Sequence, residues 1–282
     1  MYVKAHFLKS KEESKTDFRL SVSKAKTFDD CKAKFKFSYI EKLPKKEWDF
    51  HVFGKYLHDI LEIFHKKLIE NPTLSFEPLM KECVEISTEK YKDSLNKDQK
   101  HECNSIIKTY LELINEQKNN GKLPNVIGVE KDFYIDLNGK VLLNGFIDRV
   151  QIDPDGMLHV ADYKTTKDKK YLKDFFQLLT YAYVLMLEDP SIKKIRTSFI
   201  LLRHDFDHLT HEYTRKDVEP IGKKFLEYAE KINNEKIWRP NPQFLCKYCD
   251  FLENCSAGES YLIKRGIISQ KKQKETFGLG SW

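Results

Sequence analysis

Two apolar runs of the sequence, GFIDRV and HVADYKT, each carry an acid where a buried strand would hold Val or Ile. These are Asp148 in the first run and Asp162 in the second, with Lys164 two residues further on. Side chains two apart in a strand face the same way, so Asp162 and Lys164 project together while Tyr163 points to the other face. Asp148 can join them from a neighbouring strand. Two carboxylates converging at the end of a sheet make a hard-oxygen site suited to magnesium or manganese. An ammonium beside them can orient a water or stabilise a phosphorane-like oxygen. That is chemistry for cutting phosphodiesters. A salt-bridged Asp and Lys on an edge strand would show the same spacing and contribute little, so the pattern alone leaves both readings open.

The elements that must hold these side chains are read from hydrophobic period. The first 120 residues read as helical: Leu57, Ile60, Leu61, Phe64 and Leu68 recur at helical spacing in FGKYLHDILEIFHKKLIE. Further helical patterns follow in SFEPLMKECVEISTEKYKDSL and HECNSIIKTYLELINEQKNN, the latter ended by the breaker-rich NGKLPN. The period then changes. NVIGVEKDFYIDL, KVLLNGFIDRVQI and MLHVADYKT read as strands of a meander, separated by the turn signals NGK and DPDG. A helix in KDFFQLLTYAYVLML, strands in IRTSFILLRH and HLTHEYT, and a helix across VEPIGKKFLEYAEKIN complete the pattern. The class expected is α/β, a mixed central sheet flanked by helices.

With 282 residues and 40% hydrophobic content, the chain can bury a sizeable core. No run approaches the roughly 18 apolar residues of a membrane span, and MYVKAHFLKSKEESK lacks the apolar centre of a signal peptide. A cytoplasmic protein with no membrane partner is expected, in a host cytoplasm if the gene is a phage's. The formal charge of +6, from 49 basic and 43 acidic residues, permits a polyanionic partner without requiring one.

GFIDRVQIDPDGMLHVADYKTT followed by QLLTYAY resembles the RecB-type branch of the PD-(D/E)xK nuclease superfamily, whose motifs are G-x-(I/V)-D-R, D-x-K-(T/S) and Q-x-x-x-Y. The resemblance implies a restriction-endonuclease-like fold in which Asp148 and Asp162 bind catalytic metal and Lys164 acts at the attacking water. Gln177 and Tyr181, four residues apart on one helix face, would shape the site and the phosphate path. It also implies a metal contact from His58 in GKYLH, residues 54 to 58, where the residues alone suggest a satisfied core histidine. Glu130 in VIGVEKDFYID takes the place of the family's first-strand acid, and Tyr163 is a further metal candidate. His65 has no matching motif and is read as surface.

Six cysteines are too few for a disulfide scaffold in a chain this long. Cys246, Cys249 and Cys255 form a C-x2-C-x5-C cluster that wants a fourth thiolate, and Cys31 offers it; Cys83 and Cys103 fall in helical patterns as ordinary buried thiols. Spacing alone leaves zinc and iron–sulfur open. One distant cysteine before such a triplet resembles the iron–sulfur nucleases of the superfamily, the AddB nuclease domain and the CRISPR-associated four-cysteine exonucleases. That implies a structural [4Fe-4S] cluster joining the two ends of the chain.

KAKFKFSYIEKLPKK and KTTKDKKYLKDF interleave lysines with aromatics, a composition that can follow a phosphate backbone and stack unpaired bases, or serve simply as a solvated face. The expected organisation is an N-terminal helical region with Cys31 and His58 over 1–120 and a nuclease core over 121–240. A cluster segment follows over 241–262, then a basic, flexible tail over 263–282, whose Phe277, Leu279 and Trp282 could dock a protein partner. No G-x-x-x-x-G-K-(S/T) phosphate loop occurs, so no helicase motor is encoded. The expectation is a metal-dependent DNA nuclease, an exonuclease on single strands in recombination, repair or phage replication. An endonuclease or RNase of the same fold, or a non-cleaving DNA-binding adaptor, stands beside it.

Overall fold

Val52, Phe53, Tyr56, Leu57, Ile60, Leu61 and Phe64 recur every three or four residues, so a helix over them carries one wholly apolar stripe. In the computed structural model this stripe is buried, Phe53, Leu57, Ile60, Leu61 and Phe64 completely. Burying each such side chain contributes roughly 1.5–3 kcal/mol. The structure describes residues 3–46, 48–92 and 94–269, the side chain of Tyr171 excepted. The tail sequence read as a partner-docking end, from Gln270 to Trp282, lies outside the described residues.

The order of elements begins with β1 (Ala5–Leu8), β2 (Arg19–Leu20), α1 (Val22–Asp30), α2 (Lys32–Phe35), α3 (Asp49–Glu70), α4 (Phe76–Lys90) and α5 (Lys97–Asn119). It continues with β3 (Asn125–Leu137), β4 (Val141–Ile152), β5 (Leu158–Lys164), α6 (Phe176–Glu188), β6 (Lys194–Leu201) and β7 (Asp207–Thr214). The last helices are α7 (Arg215–Val218), α8 (Ile221–Asn234) and α9 (Ser256–Lys264). By compactness the chain divides into two units, one of Met1–Ala25 with Glu47–Asn234 and one of Lys26–Lys46 with Glu235–Trp282.

The larger unit is built on a seven-stranded mixed sheet in the order β1-β3-β4-β5-β6-β7, with β2 pairing β4 in parallel. The meander β3–β4–β5 is antiparallel as its turn signals require, and its first turn holds Asn138 and Gly139 at φ 60° and 66°, the left-handed region that Asn and Gly tolerate best. β5 and β6 run parallel, which demands a crossover, and α6 supplies it. The expectation of a restriction-endonuclease-like mixed sheet flanked by helices holds. The first 120 residues are not all helical, because β1 and β2 fall among them. Strands of four and two residues are too short to show a period, and β1 exists because the edge of β3 offers it a ladder.

α3, α4 and α5 pack on one another and on the sheet face that carries Ala161, Tyr163 and Ile200. α5 starts from a capping box, in which Asn96 accepts from the Gln99 amide and Gln99 reaches back to the Asn96 amide. Gly54 lets α3 come close to the end of β5, since a Cβ there would lie 3.2 Å from Thr165 Oγ1. That approach sets His58, one turn later, beside the strand.

In the smaller unit, Phe28, Phe35 and Trp238 form an aromatic cluster, with Phe35 and Trp238 stacked at 5.9 Å between centroids. Phe37 packs on the buried Phe251 at 5.8 Å.

Candidate active site

Strand parity places Asp162 and Lys164 on one face and Tyr163 on the other. Tyr163 is buried in the helical core, while Asp162 and Lys164 meet as an ion pair and share Gln177. Gln177, on the second residue of α6, donates from Nε2 to Asp162 Oδ1 at 2.8 Å and accepts from Lys164 Nζ on Oε1 at 3.1 Å. The same Nε2 stands 2.8 Å from Tyr181 Oη, one turn further along. Lys164 Nζ also lies 5.1 Å above the Phe199 ring. One amide thus fixes both members of the acid–lysine pair.

His58, Glu130 and Asp148 converge from α3, β3 and β4, with ligand atoms within 4.8 Å of one another. Asp148 Oδ2 accepts the Tyr163 N–H at 2.9 Å, a side chain bonding where a strand ladder would otherwise run. His58 Nε2 lies 3.1 Å from the Tyr163 carbonyl, which can only accept, so the ring proton sits on Nε2. The Nδ1 lone pair then faces Asp148 Oδ2 at 3.5 Å. Two electron-rich atoms held face to face are an arrangement that either a cation between them or a proton on Asp148 resolves. Tyr163 contributes its backbone to this corner; its hydroxyl points the other way, to Arg149.

The electrostatics agree. Burial lowers the His58 pKa, against the pull of Asp162, and so favours the neutral imidazole. Burial first, and then the Asp162 charge, raise Asp148 well above the usual carboxylate range. Glu130 is raised by burial and by Glu62, and Tyr181 is pushed well up by burial and by Asp162 and Asp148. Glu130 also has φ 44°, a conformation that costs a non-glycine residue on the order of 1 kcal/mol or more. Asp162 is 2% exposed, and its Oδ2 accepts no hydrogen bond, although the Lys164 ammonium contacts it without hydrogen-bond alignment. Crowded acids, a bare imidazole nitrogen and an oxygen without a hydrogen bond fit a hard divalent cation.

Glu62 was not anticipated. It stands one turn beyond His58 on α3, pairs with Lys66, and its charge acts on both His58 and Glu130. The i, i+4 spacing from His58 was its only sequence signal. His65 corrects the surface reading: it is buried at 4% exposure, with Nε2 2.6 Å from Tyr110 Oη. Position 65 lies in the apolar stripe, and a hydroxyl from α5 satisfies the ring there.

Asp153, His159 and Ser198 have the connectivity of a nucleophilic triad, with His159 Nδ1 3.0 Å from Asp153 and Nε2 2.8 Å from Ser198 Oγ. Ser198 is fully buried and meets Thr210 Oγ1 at 2.8 Å, so no substrate reaches it and the set braces the sheet. In KTTKDKKYLKDF, Lys169 and Lys170 are engaged by Asp207 and Asp168, while Lys167 is exposed.

Cys31, Cys246, Cys249 and Cys255 are all free and line one small cavity in the smaller unit. Three of their sulfurs accept backbone N–H groups: Cys31 from Asn241 at 3.4 Å, Cys246 from Gln243 at 3.3 Å and Cys255 from Gly258 at 3.4 Å. Cys83 and Cys103 are buried in the helical layer, where burial pushes their thiols up to about 11 and about 12, as expected of ordinary core cysteines.

Residues 19–256 match the model of the PD-(D/E)XK nuclease superfamily, and the chain belongs to that superfamily. Among curated proteins it is similar to a subunit of the ATP-dependent helicase/deoxyribonuclease of Streptococcus pyogenes. It is 24% identical to the protein of one serotype M3 strain over 187 residues, 61% of this chain and 17% of that protein. With the serotype M6 protein it shares 25% identity over 182 residues, 59% of this chain and 16% of that protein. The alignments thus span about a sixth of those relatives. Among solved structures, a Eubacterium rectale protein described as a "Putative exonuclease" shares the fold at a TM-score of 0.52 and 11% identity, over 87% of this chain and 90% of that one. Among the described residues no helix is long and apolar enough to cross a membrane.

Proposed function

We propose that this chain is a divalent-cation-dependent DNA nuclease, an exonuclease acting on single-stranded ends in recombination, repair or phage replication, with magnesium or manganese as the cation. The observation that carries the reading is the convergence of His58, Glu130 and Asp148 within 4.8 Å, beside an Asp162–Lys164 pair held by one glutamine. His58 through Nδ1, Glu130, Asp148, Asp162 and the Tyr163 backbone would hold the cation. Bound there, it would supply Lewis-acid polarisation of a phosphoryl oxygen and ease deprotonation of water. Lys164 is the group that would meet the attacking water and the charge growing on the phosphoryl oxygens. Gln177 and Tyr181 are positioning residues, because Gln177 reaches the reaction through Asp162 and Lys164, and Tyr181 through Gln177. Hydrolysis forms one P–O bond from water, breaks the bond to the departing nucleoside oxygen, and returns a proton to that oxygen.

The four cysteines of the smaller unit are proposed to hold a structural [4Fe-4S] cluster. Tetrahedral zinc, with Zn–S of about 2.3 Å, needs sulfurs roughly 3.8 Å apart. The four thiols line one small cavity, and a cluster that spreads its cysteines over separate metal atoms is the reading the resemblance to the iron–sulfur nucleases favours. Donated N–H groups on three sulfurs suit the same role. Anaerobically purified protein should be brown and contain iron; colourless protein with zinc and no iron refutes the cluster. We further propose a cytoplasmic location, with the lysine-rich segments as the backbone-following surface.

End-labelled linear and covalently closed circular single strands, with magnesium or manganese, test the activity. Degradation of the linear strand with circles left intact is expected. Cleavage of circles removes the exonuclease assignment, and exclusive cleavage of RNA removes the DNA one.

A further inference from the structure

Arg149 follows Asp148 in β4 but sits on the opposite side of the chemistry. Its guanidinium is buried at 5% exposure, with Nη1 3.2 Å from both Tyr110 Oη and Tyr163 Oη and 3.4 Å from His65 Nε2. These partners are neutral. Among the described residues no carboxylate forms an ion pair with Arg149. Its Nε is buried and has no hydrogen-bond partner at all. A buried cation without an anion is expensive, so a counter-charge arriving from outside the chain would be stabilised beside it.

A cavity of about 340 Å³ meets this group, lined by Arg149, His65 and Tyr110 together with Leu68, Ile114 and Val126. That size falls at the lower end of the roughly 300–1,000 Å³ range of small-molecule sites, and an apolar wall with few convergent polar groups is their usual chemistry. Lys118 also lines it, with Nζ 4.5 Å over the Phe76 ring, and adds a second positive charge. Ile69, 39% exposed, contributes to the lining near solvent.

We propose that this cavity is a binding site for a small organic anion with an apolar body, a monocarboxylate whose head meets Arg149 and whose chain lies along Leu68, Ile114 and Val126. The site is separate from the nuclease centre and does not rest on the nuclease reading. A carboxylate is preferred to inorganic phosphate because the apolar wall would leave phosphate oxygens without donors.

Octanoate is the probe, with octan-1-ol as the neutral molecule of equal chain and acetate as the head without the body. Calorimetric titration of the full chain should give saturable one-to-one binding of octanoate, roughly tenfold or more tighter than octan-1-ol, the ratio a charge-assisted hydrogen bond supplies. Acetate should bind far more weakly than octanoate. Arg149→Gln should abolish the preference for octanoate over octan-1-ol. Since that variant alters a buried network, Ile69→Trp, at a partly exposed position, serves as the second test and should weaken octanoate by about tenfold with the melting temperature unchanged. Absence of saturable octanoate binding, equal affinity for octan-1-ol, or unaltered octanoate binding by Ile69→Trp overturns the proposal.

Discussion

Asp148→Asn isolates the electrostatics of the candidate site, because asparagine keeps the volume and an oxygen to accept the Tyr163 N–H at 2.9 Å while removing the charge. Asp148 is raised well above the ordinary carboxylate range by burial and by Asp162. A folded pKa above the unfolded one means that the proton is held in the folded state. The stability it brings is complete below about pH 4, the unfolded value, and is lost as pH rises through the folded one. Within that window each pH unit costs the metal-free wild type up to about 1.4 kcal/mol, a loss that asparagine does not suffer. For a chain of 282 residues, unfolding entropy of about 2.1 cal/mol/K per residue converts this to roughly 2–3 °C per pH unit. Scanning calorimetry in EDTA from pH 5 to 8 should therefore show the variant gaining on wild type as pH rises. Magnesium or manganese at about a hundred times its dissociation constant should then add about 2.7 kcal/mol, near 5 °C, to wild type at pH 8. The variant should gain little. A variant that melts at or below wild type across the whole range, or that the cation stabilises equally, rules out a proton-holding, cation-binding Asp148.

Three further outcomes follow from individual contacts. Gln177→Ala removes the amide that holds both Asp162 and Lys164, and should lower kcat roughly 10–100-fold with little change in KM, read by steady-state cleavage. Gly145→Ala would place a Cβ 2.8 Å from the Phe133 ring and should cost about 1–3 kcal/mol, seen as a lower urea midpoint with an unchanged slope. Cys255→Ser should lose iron and its visible absorbance while the metal-free stability of the larger unit is retained. Retention of full iron content would remove Cys255 from the ligand set.

Much of the fold was legible because its elements are long and periodic. The apolar stripe of α3 and the switch to alternation at β3 locate the helical layer and the meander, and parity alone put Asp162 and Lys164 together. β1 and β2 were not legible, because their existence depends on partners more than a hundred residues away. The same limit hid His65. Its burial is tolerable only because Tyr110 of α5 reaches it, and no local signal encodes that meeting. Gln177 and Tyr181 could be placed on one helix face, but the amide's simultaneous grip on Asp162 and Lys164 requires the crossover that lays α6 beside β5. Glu62 acts through space on Glu130 from another element, and only the folded chain brings those charges together.

Asp162 and Lys164 are the proposed chemical centre of a cation-dependent nuclease. The most direct test of that role compares wild type, Asp162→Asn and Lys164→Ala on an end-labelled single-stranded DNA, with manganese and with EDTA. Cleavage should appear in wild type only with the cation and fall by at least about a hundredfold in each variant, a loss of roughly 2.7 kcal/mol or more in transition-state stabilisation. Undiminished cleavage by both folded variants, or cleavage by wild type in EDTA, contradicts it.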